Sequence, residues 1–334
     1  MKLYVCFLLC LLARASERTC HWIEAPSTGR FQKIHDWLAA RPHLAWLGVC
    51  DNGHSRTAVT RRDWEWSCAP PELPFSPEVF CANLDRLGGG LLFIGDSLSR
   101  LHAVTLAAML NGTETVSWKF SGDVISDKRQ DRWDICEQRL KLGFVRNDLL
   151  AVTSADCKAC NAIRSGRRRS HICEPWANSA LLKDFSVFVL NSGAHTVNES
   201  WYESNIRNAA KYLVVEAPHS SLLLYRDTVP GHGGCEAHFH DDPLRNVSGA
   251  EAYVKGHPWY DGGGTSQTFK RRNELANQVF GGSGFQHLPT YGPTLMRLDS
   301  HISARDCLHY CVPGPSIVWC EMLHRQMSQA KAMN

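Results

Sequence analysis

Short apolar runs, each followed by a helical pattern, constrain the fold of this chain more than any other feature. The run at 91–94 is Leu-Leu-Phe-Ile without alternation, which is typical of a strand buried on both faces. Residues 98–110 then place apolar side chains at helical spacing. Further strands and helices are predicted at 185–190, 200–216, 221–225, 269–280 and 285–288. Alternating strands and helices predict an α/β fold in which a parallel sheet carries helices on both faces.

The segment before this pattern differs in composition. Residues 17–85 are rich in Trp, Cys and Pro and show little helical or strand periodicity. Since its apolar side chains lack a repeating face to bury, we expect a disulfide-held N-terminal wrap, packed on a main domain at 86–334. Ligands of parallel sheets bind at the carboxyl ends of the strands, so the functional site is expected at that edge.

Composition excludes some classes of protein. Apolar residues make up 44% and charged residues 21%, which is ordinary globular usage and argues against a disordered or fibrous chain. The 36 Lys and Arg nearly balance the 33 Asp and Glu, and no long basic face is visible. Nucleic acid is therefore not an expected partner.

The N-terminus has the features of a secretory signal peptide at 1–15. Lys2 precedes an apolar run at 3–12, and Ala13-Arg14-Ala15 matches the small-x-small rule for cleavage. A helix that spans a bilayer needs about 20 apolar residues, and no stretch reaches that length. We expect a protein without a stable membrane span after cleavage, with an uncleaved short anchor as the alternative.

The cysteines and sequons predict the same compartment. Of 14 cysteines, Cys6 and Cys10 leave with the signal peptide, and the remaining even number favours disulfides whose pairing the sequence does not reveal. Tripeptides at Asn111, Asn198 and Asn246 match the acceptor sequence for N-glycosylation. A lumenal or secreted protein is expected.

Gly95-Asp96-Ser97 is the sharpest chemical motif, because it joins a buried strand to a helix. A serine there projects from the carboxyl end of the strand, and the helix N-terminus offers N–H groups to a developing oxyanion. This arrangement suits a nucleophile. The alternative is a simple helix cap, since Asp and Ser are preferred capping residues.

A candidate base for this serine lies near the C-terminus. Asp306 and His309 stand three residues apart, so in a turn or helix start the carboxylate can accept from Nδ1 while Nε2 faces Ser97. Asp299 and His301 form a competing acid and base pair. A surface carboxylate and a packed histidine are the structural alternative.

Asn191 and Gly193 follow the next strong strand and are candidates for the oxyanion site. The amide of Asn191 could donate an N–H to the oxyanion, and Gly193 would let the backbone turn closely. A strand-ending turn is the alternative interpretation.

Two clusters of Cys and His have spacings that a zinc site could use. Their members are Cys157, Cys160, His171 and Cys173 in the first, and His232, Cys235, His238 and His240 in the second. In an oxidising lumen such thiols are more often consumed as disulfides, so neither a metal nor a bound cofactor is expected.

Several ordered blocks resemble the trichome birefringence-like proteins, which are PC-esterase members of the SGNH/GDSL hydrolase superfamily. The segment 93–100 looks like the GDS block of that family, and 306–315 looks like its DxxH block. Further similar blocks, between about residues 50 and 325, are 64–75 (W-x-W, Cys, L-P-x-F), 190–195 (F-N-T-G-H), 225–232 (R-T-x-P-x-H) and 297–301 (R-x-D-x-H).

The resemblance implies an SGNH-like catalytic domain, a three-layer α/β/α sandwich with a mostly parallel central sheet. In it, Ser97 is the nucleophile, His309 the general base and Asp306 its orienting acid. Asn191, the backbone N–H of Ser97 and a nearby glycine such as Gly193 would form the oxyanion hole. Asp96 would have a structural role, and Arg100 would position the turn or the substrate.

The activity that the resemblance implies is polysaccharide O-acetylation through an acetyl-serine intermediate, in the Golgi lumen or outside the cell. The expected partner is a polysaccharide or oligosaccharide, and an acetyl donor of unknown identity is required as a substrate. A carbohydrate acetylesterase with the same triad is one alternative, because water and a sugar hydroxyl attack the same acyl-serine. A non-catalytic glycan-binding or wall-organising protein is another.

Overall fold

The structure is a computed structural model. It describes residues 19–24, 29–47, 64–69, 74–115, 130–162, 164–165, 168–169, 171–195, 198–239, 241–257, 266–303 and 306–330. The predicted signal peptide at 1–15 lies outside the described residues. Within these ranges, no helix combines the length and hydropathy that crossing a bilayer requires.

The described part alternates strands and helices over most of its length. The strands are β1 (Thr19–Glu24), β2 (Trp64–Ala69), β3 (Gly90–Gly95), β4 (Thr113–Glu114), β5 (Gln130–Ile135), β6 (Leu140–Arg146), β7 (Arg164–Ser165), β8 (Arg168–Arg169), β9 (Val187–Leu190), β10 (Leu222–Arg226), β11 (Gln286–Leu288), β12 (His301–Ser303) and β13 (Asp306–Tyr310). The α-helices are α1 (Gly29–Ala39), α2 (Pro77–Arg86), α3 (Ser97–Met109), α4 (Ser154–Ala162), α5 (Ser179–Leu182), α6 (Glu199–Glu216), α7 (Val247–Gly256), α8 (Ser266–Gly281), α9 (Tyr291–Leu295) and α10 (Pro315–Gln329).

A sheet of seven strands in the order β11-β10-β9-β3-β6-β5-β4 forms the centre of the molecule. The five strands from β11 to β6 are parallel, whereas β5 runs antiparallel to β6 and β4 antiparallel to β5. The chain leaves β3 towards β6 on one side and returns to β9 on the other. Ligands of such sheets bind at this reversal of strand order, just beyond the carboxyl end of β3.

Helices cover both faces of this sheet. Leu91 and Phe93 of β3 belong to a core shared with α3 and α10, whereas Leu92 and Ile94 belong to a second core shared with α6 and α8. All four side chains are fully buried, because successive residues of a strand point to opposite faces and both faces are covered. The predicted α/β/α sandwich is therefore confirmed.

The N-terminal segment has more regular structure than its weak periodicity predicts. It contains the antiparallel pair β1 and β2, joined by the disulfide Cys20–Cys68, and the helix α1. The indole N–H of Trp22 donates to the carbonyl oxygen of Pro293 at 3.0 Å, so the segment packs on the rest of the chain. The predicted boundary between residues 85 and 86 falls inside α2.

Most described cysteines form disulfides, as predicted. The described bridges are Cys20–Cys68, Cys81–Cys136, Cys160–Cys173 and Cys235–Cys307, and Cys311 is also disulfide-bonded. Cys157 and Cys320 are buried and are not disulfide-bonded, so the predicted use of the cysteines as disulfides does not extend to these two. Burial raises the pKa of the Cys157 thiol to about 11, so this residue acts as a small apolar side chain.

Candidate active site

Ser97 lies where the central strand passes into a helix. β3 ends at Gly95, and α3 begins at Ser97 with Asp96 as its N-cap. The Oδ1 atom of Asp96 accepts from the backbone N–H of Leu98 at 2.9 Å, which is a capping contact. A Cβ atom at Gly95 would collide with the carbonyl oxygen of Asn191. Glycine is therefore required for the close turn that brings Ser97 to the carboxyl edge of the sheet.

The hydroxyl of Ser97 contacts the ring of His309, although 212 positions separate them in the sequence. Oγ of Ser97 lies 2.6 Å from Nε2 of His309, and Nδ1 of that ring lies 2.8 Å from Oδ2 of Asp306. An ionised carboxylate can only accept, so Nδ1 carries the hydrogen, and Nε2 accepts from the serine hydroxyl. The side chain of His309 is 21% exposed, so this series of contacts reaches the surface.

Asp306 and His309 both lie on β13, where a regular strand would point them to opposite faces. The pairing of β12 with β13 is irregular. His301 pairs with Tyr310 and Ser303 with Asp306, so an advance of two residues along β12 corresponds to four residues along β13. Oδ1 of Asp306 accepts from the backbone N–H groups of Leu308 and His309 at 3.2 and 3.0 Å. The two side chains thus meet on an irregular strand, and the predicted turn or helix start is wrong.

The carboxyl group of Asp306 is ionised throughout the neutral range. Burial alone would raise its pKa, but the hydrogen bonds from the His309 ring and from two backbone N–H groups outweigh burial and lower the pKa to about 2. A carboxylate at this position favours the Nδ1–H tautomer of His309. It would also stabilise the imidazolium that forms if the ring takes a proton from Ser97.

The strand that carries Asp306 and His309 is tied to the neighbouring loops. Cys307 forms a disulfide with Cys235, and its carbonyl oxygen accepts from the backbone N–H of His232 at 3.0 Å. Beyond His309, the backbone N–H of Cys311 donates to the carbonyl oxygen of Ser300 at 2.8 Å. The position of His309 therefore depends on contacts that β13 makes outside the central sheet.

The side-chain amide of Asn191 forms hydrogen bonds with buried groups of the protein. Its Nδ2 donates to the carbonyl oxygen of Arg226 at 3.1 Å and to Oγ1 of Thr228 at 3.2 Å, and its Oδ1 accepts from Oγ of Ser99 at 3.4 Å. In this conformation Asn191 joins the ends of β9 and β10 and does not offer its amide to an oxyanion. At Gly193, a Cβ atom would lie 2.6 Å from Oγ1 of Thr228, so the chain passes closely there.

Comparisons with known proteins agree on one relationship. No family model matches the chain. Protein trichome birefringence-like 26 of Arabidopsis thaliana is 22% identical over 331 residues, which cover 81% of this chain and 69% of that protein. Protein trichome birefringence-like 25 of the same plant is 22% identical over 355 residues, which cover 91% of this chain and 74% of that protein. These two matches, over most of the chain, support membership in the trichome birefringence-like family.

Arg100 forms a buried ion pair. Its Nε and Nη2 atoms donate to the two carboxylate oxygens of Asp131 at 2.5 and 2.7 Å, which joins α3 to β5. The two side chains are 5% and 13% exposed. Of the two predicted roles for Arg100, this contact favours positioning of the turn and helix that carry Ser97.

Asp299 and His301, the competing acid and base, each contact other residues. Asp299 accepts two hydrogen bonds from the guanidinium of Arg297, at 2.8 and 2.7 Å, and a third from the hydroxyl of Ser300 at 2.9 Å. The ring of His301 instead faces His232. The block at 297–301 therefore contributes structure beside the site, and Asp306 is the carboxylate on the ring that contacts Ser97.

Sequence reasoning missed a polar cluster beside Ser97, at the carboxyl end of β6. Asp148 is fully buried and accepts from Nε of Arg146 at 2.9 Å, and Nε2 of His195 lies 3.6 Å from the same carboxylate oxygen. The hydroxyl of Ser192 donates to the backbone oxygen of Asp148 at 3.0 Å. Recognising β6 and β9 as the two neighbours of β3 would have revealed this cluster, because Asp148 directly follows β6, and Ser192 and His195 directly follow β9.

Disulfides take thiols from both clusters considered for zinc, although Cys157 of the first cluster keeps its thiol. Cys160 pairs with Cys173, and Cys235 pairs with Cys307, whereas His240 lies outside the described residues. Within the ranges that the structure covers, no group of three or more suitable side chains surrounds a possible metal position.

The three sequon asparagines are exposed in the structure. The side-chain oxygens of Asn198 and Asn246 cap α6 and α7, accepting from the backbone N–H groups of Ser200 and Gly249 at 2.9 and 2.8 Å. Asn111 lies in the turn after α3. Exposure leaves each amide nitrogen accessible, so glycosylation stays a prediction at all three positions.

Proposed function

We propose that this protein transfers an acetyl group to a hydroxyl of a polysaccharide or oligosaccharide, through an acetyl-Ser97 intermediate. The observation that carries the proposal is the continuous series of contacts from Oγ of Ser97 through His309 to Asp306. The similarity to trichome birefringence-like proteins supports acyl transfer and a carbohydrate acceptor. The disulfides support a secretory compartment, such as the Golgi lumen, or the cell exterior.

The geometry supports a double displacement. In the first half, Oγ of Ser97 attacks the acetyl carbonyl of the donor while its proton passes to Nε2 of His309. The donor's leaving group then departs with that proton, which leaves acetyl-Ser97. In the second half, a sugar hydroxyl attacks the acetyl carbonyl and gives its proton to Nε2, and collapse of the intermediate returns that proton to Ser97.

The negative charge that develops on the acetyl oxygen needs N–H donors. The N-terminus of α3 directs its first backbone N–H groups and the positive end of its dipole towards this position, so the backbone N–H of Ser97 is the proposed donor. Asn191 would contribute only if its amide left Arg226 and Thr228. Water in place of the sugar hydroxyl would give hydrolysis by the same steps, so the acceptor decides between transferase and esterase.

The test compares wild type with Ser97→Ala, and uses Ser283→Ala, in the turn after α8, as the matched control. With p-nitrophenyl acetate as donor and a panel of neutral oligosaccharides, we expect acetylated sugar from wild type and the control and none from Ser97→Ala. Mass spectrometry of digested wild type should place the acetyl group on the peptide that contains Ser97. If wild type releases free acetate at the same rate with and without sugar, and no sugar becomes acetylated, the protein is an esterase. Unchanged turnover by a folded Ser97→Ala variant would exclude the mechanism.

A further inference from the structure

Two buried histidines lie directly behind the strand that carries the proposed base. His232 follows β10, and His301 begins β12; neither side chain has measurable exposure. Nδ1 of His232 lies 2.7 Å from Nε2 of His301, which is hydrogen-bond distance. The mechanism proposed above uses neither ring.

Each ring also contacts a backbone carbonyl with its other nitrogen. Nε2 of His232 lies 2.9 Å from the carbonyl oxygen of Leu295. Nδ1 of His301 lies 3.1 Å from the carbonyl oxygen of His309, which is the residue proposed as the base. Because a carbonyl oxygen can only accept, both of these outer nitrogens must carry a hydrogen to make their bonds.

The proton count of the pair follows from these contacts. Three hydrogen bonds, two to carbonyls and one between the rings, require three hydrogens on four nitrogens. Two neutral imidazoles carry only two, so any neutral arrangement sets two lone pairs against each other in one contact. One additional proton, shared between the inner nitrogens, satisfies all three contacts.

The groups around the pair act in both directions. Burial opposes the extra proton, because desolvation lowers the pKa of each ring, and His238 near His232 and His309 near His301 act in the same direction. The carboxylate of Asp299 favours a proton on His232, and that of Asp306 favours one on His301. The hydroxyl of Tyr310, 3.5 Å from Nδ1 of His232, donates to the carbonyl oxygen of Pro230 and presents its lone pairs to the rings.

We propose that His232 and His301 hold one shared proton at neutral pH and thereby fix the backbone of His309, so that both are positioning residues for the base. This inference rests on the proposed function for its effect on catalysis, but the proton count does not. Loss of the shared proton would break one contact, and the one to His309 is the longest of the three. Without it, His309 could shift relative to Ser97.

Two substitutions at His301 separate positioning from general support of the fold. His301→Asn keeps an amide N–H near the position of Nδ1, so it can still donate to the carbonyl oxygen of His309. His301→Leu fills similar space without a donor. Because a displacement of about 1 Å at a reacting group costs about 100-fold in rate, we expect a loss of that size for His301→Leu and recovery to within about tenfold of wild type for His301→Asn.

The readout is the rate at which a fluorophosphonate probe labels Ser97 in the full chain, measured as a function of pH. The wild-type rate should fall on the alkaline side as the pair loses its proton, and His301→Asn should lack that decline. Equal rates and equal pH profiles for folded His301→Leu and wild type would overturn the proposal.

Nitrogen NMR of the ¹⁵N-histidine-labelled protein counts the protons directly, with the two rings assigned from the His232→Gln and His301→Asn variants. Three protons on the four nitrogens at neutral pH are expected, and two would overturn the proposal. A wild-type protein whose Ser97 is never labelled would instead reject the proposed function and leave the proton count standing.

Discussion

Replacing Asp306 by Asn tests the proposed mechanism most sharply, because it changes one atom of the site. Oδ1 of Asp306 accepts from the backbone N–H groups of Leu308 and His309. The carbonyl oxygen of an asparagine would keep those two bonds, since its NH₂ group cannot accept them. The NH₂ group would then take the place of Oδ2, which lies 2.8 Å from Nδ1 of His309.

A donor at that position reverses the tautomer of the ring. Nδ1 of His309 would have to accept from the amide, so the hydrogen would move to Nε2, which would then donate to Oγ of Ser97. A ring in that state cannot take the serine proton. In a serine triad this loss is about 10,000-fold in kcat, or about 5 kcal/mol of transition-state stabilisation, and we expect the same magnitude for Asp306→Asn.

The same substitution has a smaller effect on stability. An unfolded aspartate has a pKa of about 3.9, and Asp306 in the folded protein has a pKa of about 2. The carboxylate therefore contributes roughly 2–3 kcal/mol at neutral pH, which is present above the unfolded pKa of about 4 and is lost as the pH falls towards 2. Asp306→Asn should thus remain folded at pH 7, and the loss of activity is not a loss of structure.

The assay measures acetylation of Ser97 by p-nitrophenyl acetate, with thermal unfolding followed on the same samples. Asp85→Asn, on the exposed side of α2, is the matched control for removing one negative charge and should keep full activity. A folded Asp306→Asn variant that retains a tenth or more of the wild-type rate would refute the assignment of His309 as a base oriented by Asp306.

Two further predictions concern the supports of the site. Replacing Cys235 and Cys307 together by Ser removes a cross-link between residues 72 positions apart, and loop-closure entropy gives a loss of about 4 kcal/mol. An unchanged midpoint of urea unfolding would contradict this. Replacing Arg100 by Met leaves Asp131 buried without its partner, with an expected cost of about 3–5 kcal/mol. Adding Asp131→Leu should restore most of that stability in thermal unfolding, and a double variant no more stable than the single one would show that the unpaired charge is not the cause.

The sequence predicted the buried centre of the fold better than its margins. β3, β9 and β10 are covered on both faces, so each of them has a continuous apolar run in its sequence. β5, with the sequence Gln-Asp-Arg-Trp-Asp-Ile, lies near one edge of the sheet and is half-exposed, so it carries no such run. Its antiparallel pairing with β6 depends on contacts across the sheet that local composition does not record.

The sequence predicted the three residues of the candidate site but not the contacts that surround them. Ser97, Asp306 and His309 stand in local motifs, and the structure brings them together. Nothing local in the sequence shows that His301 faces His232 rather than Asp299, because that choice depends on how β12 packs against the loop after β10. The engagement of Asn191 by residues of β10 and beyond is likewise a long-range contact.

The proposed nucleophile and the proposed base are held by different kinds of structure. Ser97 follows the most buried strand of the sheet, so its position is set by the two hydrophobic cores on either side of β3. His309 lies on a short strand outside that sheet, where a disulfide, a contact with His301 and backbone hydrogen bonds fix it. Disturbing the cores unfolds the protein, whereas disturbing the polar and covalent supports of β13 moves the base on an intact sheet. Substitutions in those supports should therefore lower activity more than they lower the stability of the fold.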